Sequence, residues 1–146
     1  MASGNSEDVK FDYEGALSLA RNLWAFADDV EAAAGNRLTS ASAALKDWKG
    51  TYGDQFAGRA NLEQTDLGLV VAGLRTEADG WAAAWKDAMD EQNRRLYARK
   101  VDKMKEDRST AAKIGDFFTG FEYPPEPAPV TKPSPGGFYA TACLGA

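Results

Sequence analysis

All six prolines of this 146-residue chain lie between Pro124 and Pro135, so the first 123 residues contain none. Inside a helix, proline removes a backbone hydrogen bond and its ring clashes with the preceding turn. A proline-free stretch of this length, rich in alanine, predicts long uninterrupted helices followed by an extended tail. Two further counts narrow the chemistry. There is no histidine, which excludes Ser–His and Cys–His catalysis and His-ligated metal sites. The single cysteine, Cys143, cannot form an internal disulfide or a multi-cysteine zinc site. The expectation is an all-α, non-enzymatic protein with no cofactor and no metal site.

Apolar residues place the helices. Phe11 and Asp12 resemble a staple and an N-cap, and Leu23, Ala27, Val30, Ala34, Leu38, Ala41, Leu45 and Trp48 follow at steps of three and four. Asp47-Trp-Lys-Gly-Thr-Tyr-Gly-Asp54 then breaks the pattern with two glycines. A second stripe begins, with Thr51 as the expected cap, and includes Phe56, Ala60, Glu63, Leu67, Val70, Leu74, Ala78, Trp81, Trp85 and Leu96. The predicted organisation is an N-terminal arm over 1–10 and a helical hairpin over 11–113. Within the hairpin, the first helix covers about 12–46, the turn 47–53 and the second helix about 54–105 or beyond, at 3.6 residues per turn. An aromatic and proline-rich tail occupies 114–146.

A lone hairpin has one internal seam and buries little apolar area per residue. Leu67, Leu69, Val70, Val71 and Leu74 spread around most of the second helix, and Leu17 and Trp24 lie outside the stripe of the first. A partner hairpin is therefore expected, as a homodimer or heterodimer forming a four-helix bundle. Its interface would use Phe56, Leu67, Val70, Val71, Leu74, Trp81 and Trp85. Folding back of the tail is the alternative cover for the same surface. In the tail, Phe117, Phe118, Phe121 and Tyr123 are expected contact residues. Tyr123 to Pro135 reads as a polyproline II spacer or a docking peptide.

The net charge of −5 argues against a nucleic-acid partner, although residues 94–113 carry a net +5. That basic stretch suits a helix C-terminus or an acidic protein surface. Asp28-Asp-Val-Glu31 and Asp87-Ala-Met-Asp90-Glu91 read as solvated faces in preference to a weak cation site. The polar, acidic first ten residues lack the pattern of a cleavable signal peptide. The longest uncharged apolar run, Leu67–Leu74, is too short to span a membrane. No small-molecule substrate is indicated.

Trp48-Lys49-Gly50 carries a family resemblance. A W-x-G tripeptide at the turn of a hairpin of about 100 residues, followed by an aromatic early in the second helix (here Phe56), resembles the WXG100 or ESAT-6-like family. The resemblance covers roughly residues 8–107. It implies a non-catalytic, dimeric helical substrate of a type VII secretion system, cytoplasmic before export and then secreted or at the cell surface. It also implies that Trp48 and Gly50 form part of a composite signal read by a secretion ATPase. The family's second element, Y-x-x-x-[D/E], is not matched: Val101 stands four residues after Tyr97, and Pro127 four after Tyr123. Two other functions suit such a hairpin, an intracellular helical adaptor and a structural subunit of a phage or injection-type particle.

Overall fold

The computed structural model describes residues 6–108, 120 and 122–137. Among these the chain is helical, with no strand. Helix α1 spans Tyr13–Leu45, helix α2 spans Thr51–Glu106, and a single 3-10 turn spans Pro135–Gly137. Two compact units divide the chain, one made of residues 13–83 and 133–146, the other of 1–12 and 84–132.

In the first unit, α1 and the first part of α2 pack against each other as a hairpin. The buried residues of this seam are almost all alanine: Ala16, Ala20, Ala27 and Ala34 on α1, with Val71, Ala78 and Ala82 on α2. Their spacing is four and seven on both helices, which keeps them on one face. Small side chains at these positions allow two helices to approach closely. The seam therefore centres beside the largest apolar residues. Leu67 and Leu74 flank it half-buried, as do Phe56 and Trp81, whereas Val70 is half exposed.

Polar contacts border this seam. Gln64 Nε2 donates to the Ala34 carbonyl at 2.9 Å. Arg75 donates to Asp28 at 2.9 Å and Glu31 at 2.6 Å, and Arg37 pairs with Glu63 at 2.6 Å. The 3-10 turn packs on α1. A methyl added to Gly136 would lie 3.1 Å from Trp24 Cε2 and Nε1. The tail thus covers Trp24, which is half-buried along with Leu17. For Trp24, the folded-back tail takes the place of the expected open surface.

In the second unit, residues 84–106 of α2 receive both the N-terminal arm and the proline-rich segment. Val9 N–H donates to Gln92 Oε1 at 2.7 Å, and Gln92 Nε2 donates to Asp8 at 2.9 Å. Arg99 pairs with Asp8, and Arg95 Nη1 donates to the Glu7 carbonyl at 3.1 Å. On the proline-rich side, Tyr97 Oη donates to the Pro124 carbonyl at 2.8 Å, and Val130 N–H donates to Asp90 at 2.6 Å. A polyproline segment has no hydrogen bonds of its own, so these anchors hold it as a docked strap. Trp85 is half-buried in this unit.

Candidate functional site

The connection between the helices begins with a turn at Lys46, whose N–H donates to the Ala43 carbonyl at 3.3 Å. Trp48, Lys49 and Gly50 follow. Gly50 has φ +95°, a left-handed conformation that disfavours any residue bearing a Cβ. Its carbonyl accepts from Asp54 N–H at 3.0 Å, so Gly50 is the N-cap and Thr51 already belongs to the helix. The cap thus falls one residue before the expected Thr51, because the left-handed turn at Gly50 aligns its carbonyl with the first helical turn. Asp54 sits in that turn, where a carboxylate complements the helix dipole.

Gly53 is buried against Trp48. A Cβ at Gly53 would lie 2.6 Å from the Trp48 carbonyl oxygen. This close approach fixes where the Trp48 ring emerges. The ring centroid lies 5.3 Å from that of Phe56 with the planes tilted by 41°, a geometry favourable for paired aromatics. Trp48 remains 47% exposed and Tyr52 74% exposed.

Two clefts meet here. The larger, about 610 Å³, is lined by Leu38, Ala41, Phe56, Arg59 and Ala60, with the Arg37–Glu63 pair among its walls. The smaller, about 180 Å³, is formed by Trp48, Tyr52, Gln55, Phe56 and Arg59. Phe56 and Arg59 are common to both. The chemistry on offer is aromatic and apolar contact with one guanidinium, which suits a protein surface bearing an apolar side chain and a carboxylate. Farther along the hairpin, Leu67 and Val71 line a third cleft of about 390 Å³ with Glu31, Ala34 and Gly35.

Of the expected tail contacts, Tyr123 packs beneath two cations, Lys105 Nζ at 5.9 Å and Arg108 Cζ at 5.8 Å from its ring centroid. Phe117, Phe118 and Phe121 lie outside the described residues, as does Cys143. The acidic motifs have cationic partners. Asp28 and Glu31 share Arg75, Asp90 accepts from Lys86, and Glu91 accepts from Arg94 at 2.7 Å and Arg95 at 2.7 Å. Among the described residues, no group of three acidic or cysteine side chains is placed to hold a metal ion. No described helix is long and apolar enough to cross a membrane.

Sequence reading missed the arm-and-strap clamp entirely. Asp8, Gln92 and Arg99 carry no local motif, and Asp90 reads only as part of a solvated acidic face, because the partners that make the clamp are remote in the chain. The electrostatics show what the clamp depends on. Hydrogen bonds from Gln92, then Arg99, hold the Asp8 carboxyl below its ordinary range. Lys86, then the Val130 N–H, does the same for Asp90. Arg94 and then Arg95 lower Glu91 to about 2. A carboxylate depressed in the folded state stabilises it above the unfolded pKa, and that contribution fades as pH falls through the folded value. Acidification through the window below about pH 4, where Asp8 and Asp90 take up protons in the folded protein, is therefore expected to release the arm and the strap. Amide NMR should show Val9 and Val130 losing their hydrogen bonds in this window while the apolar α1–α2 seam keeps its helical circular dichroism. Loss of the seam before either anchor would refute this order.

No protein-family model matches the chain, and no curated protein or solved structure matches it either. Its functional reading therefore rests on its own residues and on the W-x-G resemblance.

Proposed function

We propose that the chain is a non-catalytic, WXG100-like hairpin protein acting through protein contacts, as a secreted substrate or partner of a type VII-like secretion system. The observation that carries this reading is the aromatic end of the hairpin. Trp48 and Gly50 lie in the connection, and Trp48 and Tyr52 present exposed rings there on a backbone fixed by Gly53. Such rigid, exposed aromatics are the residues protein interfaces favour as anchors. Their partner in this reading is a secretion ATPase, with the protein cytoplasmic before export and secreted or surface-bound afterwards. A second hairpin, pairing with this one as a four-helix bundle, would cover the exposed Phe26, Leu62, Leu69 and Val70.

In the native host, Trp48→Arg is expected to reduce the protein in culture supernatant by about tenfold or more without lowering its level inside cells, as loss of a central interface aromatic does. Equal supernatant levels for both proteins would remove the export reading. An intracellular adaptor is the second reading. It is favoured by the missing Y-x-x-x-[D/E] element and by the engagement of the Tyr97 hydroxyl with the Pro124 carbonyl.

A further inference from the structure

Between its two anchors on α2, the proline-rich strap is longer than the helix beneath it. Tyr97 holds the Pro124 carbonyl and Asp90 holds the Val130 N–H, so six steps of strap span seven of helix. Seven helical residues advance about 11 Å, whereas six residues of an extended proline-rich segment advance about 19 Å. The surplus of roughly 8 Å bows the segment away from α2. Exposure follows that geometry. Pro124 and Val130 are half-buried, and Pro125, Glu126, Pro127, Ala128 and Pro129 between them are all exposed. A cleft of about 210 Å³ lies under the arch, walled by Asn93 and Arg94 on α2 and by Pro127 and Pro129 on the strap.

The arch has the makings of a ligand. Pro125, Pro127 and Pro129 have no N–H to satisfy, and their rings hold the backbone near the extended conformation. Among the described residues, none of the five makes a hydrogen bond or ion pair, so their carbonyls stay open to an incoming donor. Pinning at both ends removes in advance part of the ordering entropy that a loose peptide loses on binding. Glu126 carries the arch's charge. Arg94 shares the cleft with it but is held by Glu91, with Nε at 2.7 Å.

We propose that residues 125–129 form a presented docking ligand, taken by a partner protein through an aromatic-lined groove with a basic residue at its rim. Flat rings pack against proline faces, and ring N–H or O–H groups donate to the open carbonyls. The basic residue meets Glu126, whose charge sets the position of the arch along the groove. The partner takes the arch while Pro124 and Val130 stay on α2, because the anchored ends give it a ready-made extended shape. This contact goes beyond the export reading and stands without it, since the arch and Trp48 belong to different compact units.

The test uses the full chain in its native host, with the photoreactive residue p-benzoylphenylalanine in place of Ala128. Irradiation is expected to give a defined adduct, which Pro125→Ala and Pro127→Ala together should reduce by about tenfold or more. Both positions are exposed, and unchanged helical circular dichroism verifies that the variants fold. The captured protein, identified by mass spectrometry and purified, then serves as the calorimetry probe. Glu126→Lys should weaken its binding by about tenfold, and alanine at its groove aromatics should abolish it. Tyr97→Phe should weaken it by about fivefold, because the arch loses one anchor and part of its pre-ordering. The absence of an adduct at Ala128 overturns the proposal. So does an adduct that survives the paired proline substitutions, or a captured protein with no aromatic groove. Equal or tighter binding by Tyr97→Phe overturns presentation on α2, since the strap would then be taken as a loose peptide. Loss of the adduct in Trp48→Arg also overturns it, by assigning the contact to the hairpin end.

Discussion

Replacing Gly53 with alanine is expected to destabilise the hairpin by about 1–3 kcal/mol, the range for forcing atoms into a filled site. On propensity alone the sign would be opposite. Glycine within a helix costs roughly 1 kcal/mol relative to alanine, and α2 has already begun at Thr51. The difference is the neighbour. The new methyl would stand 2.6 Å from the Trp48 carbonyl oxygen and 3.2 Å from the Trp48 carbonyl carbon. Both atoms are backbone, so relief requires moving the connection itself and with it the Trp48 ring. Gly35→Ala supplies the control, because a methyl there meets nothing within 4 Å and should stabilise by up to about 1 kcal/mol. Urea unfolding of the two variants, followed by tryptophan fluorescence and circular dichroism, compares them directly. Equal stabilisation by both would show that Gly53 has no close neighbour.

The second large effect is expected at Ala78, which is fully buried. Leucine there adds three carbons to a seam built from alanines. Overpacking of this kind costs about 1–3 kcal/mol, and the melting temperature should fall by roughly 5–10 °C. The sign of the change is diagnostic. If the helices stood farther apart, the larger side chain would fill space and stabilise through added apolar burial. A raised melting temperature for Ala78→Leu would therefore overturn the close-approach seam.

The same seam shows where sequence and structure part. Helical character, the break near Gly50 and the extended tail were legible, because proline exclusion and apolar periodicity act locally. The facing direction was less so. The expected stripe passes through Val70, Ala78 and Trp81, whereas the buried centre runs through Val71, Ala78 and Ala82, so the two share Ala78 and diverge by one position on either side of it. Helices that approach closely bury their smallest residues, and hydrophobicity weights those least. Leu62 and Leu69, by contrast, sit on the solvent side despite their size. At the hairpin end, Trp48 and Gly50 stand out through the tripeptide, but Gly53 acts through a backbone contact with Trp48 that no spacing reveals. The clamp on the second part of α2 was invisible for another reason. Val9 and Gln92 are separated by 83 positions and Asp8 and Arg99 by 91, and no pattern in one sequence links residues so remote.

That separation has a consequence for how the protein is made. Residues 6–9 leave the ribosome ahead of their hydrogen-bonding partners at Gln92, Arg95 and Arg99, which are translated more than eighty residues later. At about 5–20 residues per second, the arm waits on the order of 4–17 s for a surface to bind. The α1 half of the alanine seam is complete long before then and can close on α2 as that helix emerges. Loop closure over such a distance carries an entropic cost, so the arm settles after the seam that is translated behind it. During that interval, the arm is open to whatever meets it at the tunnel exit.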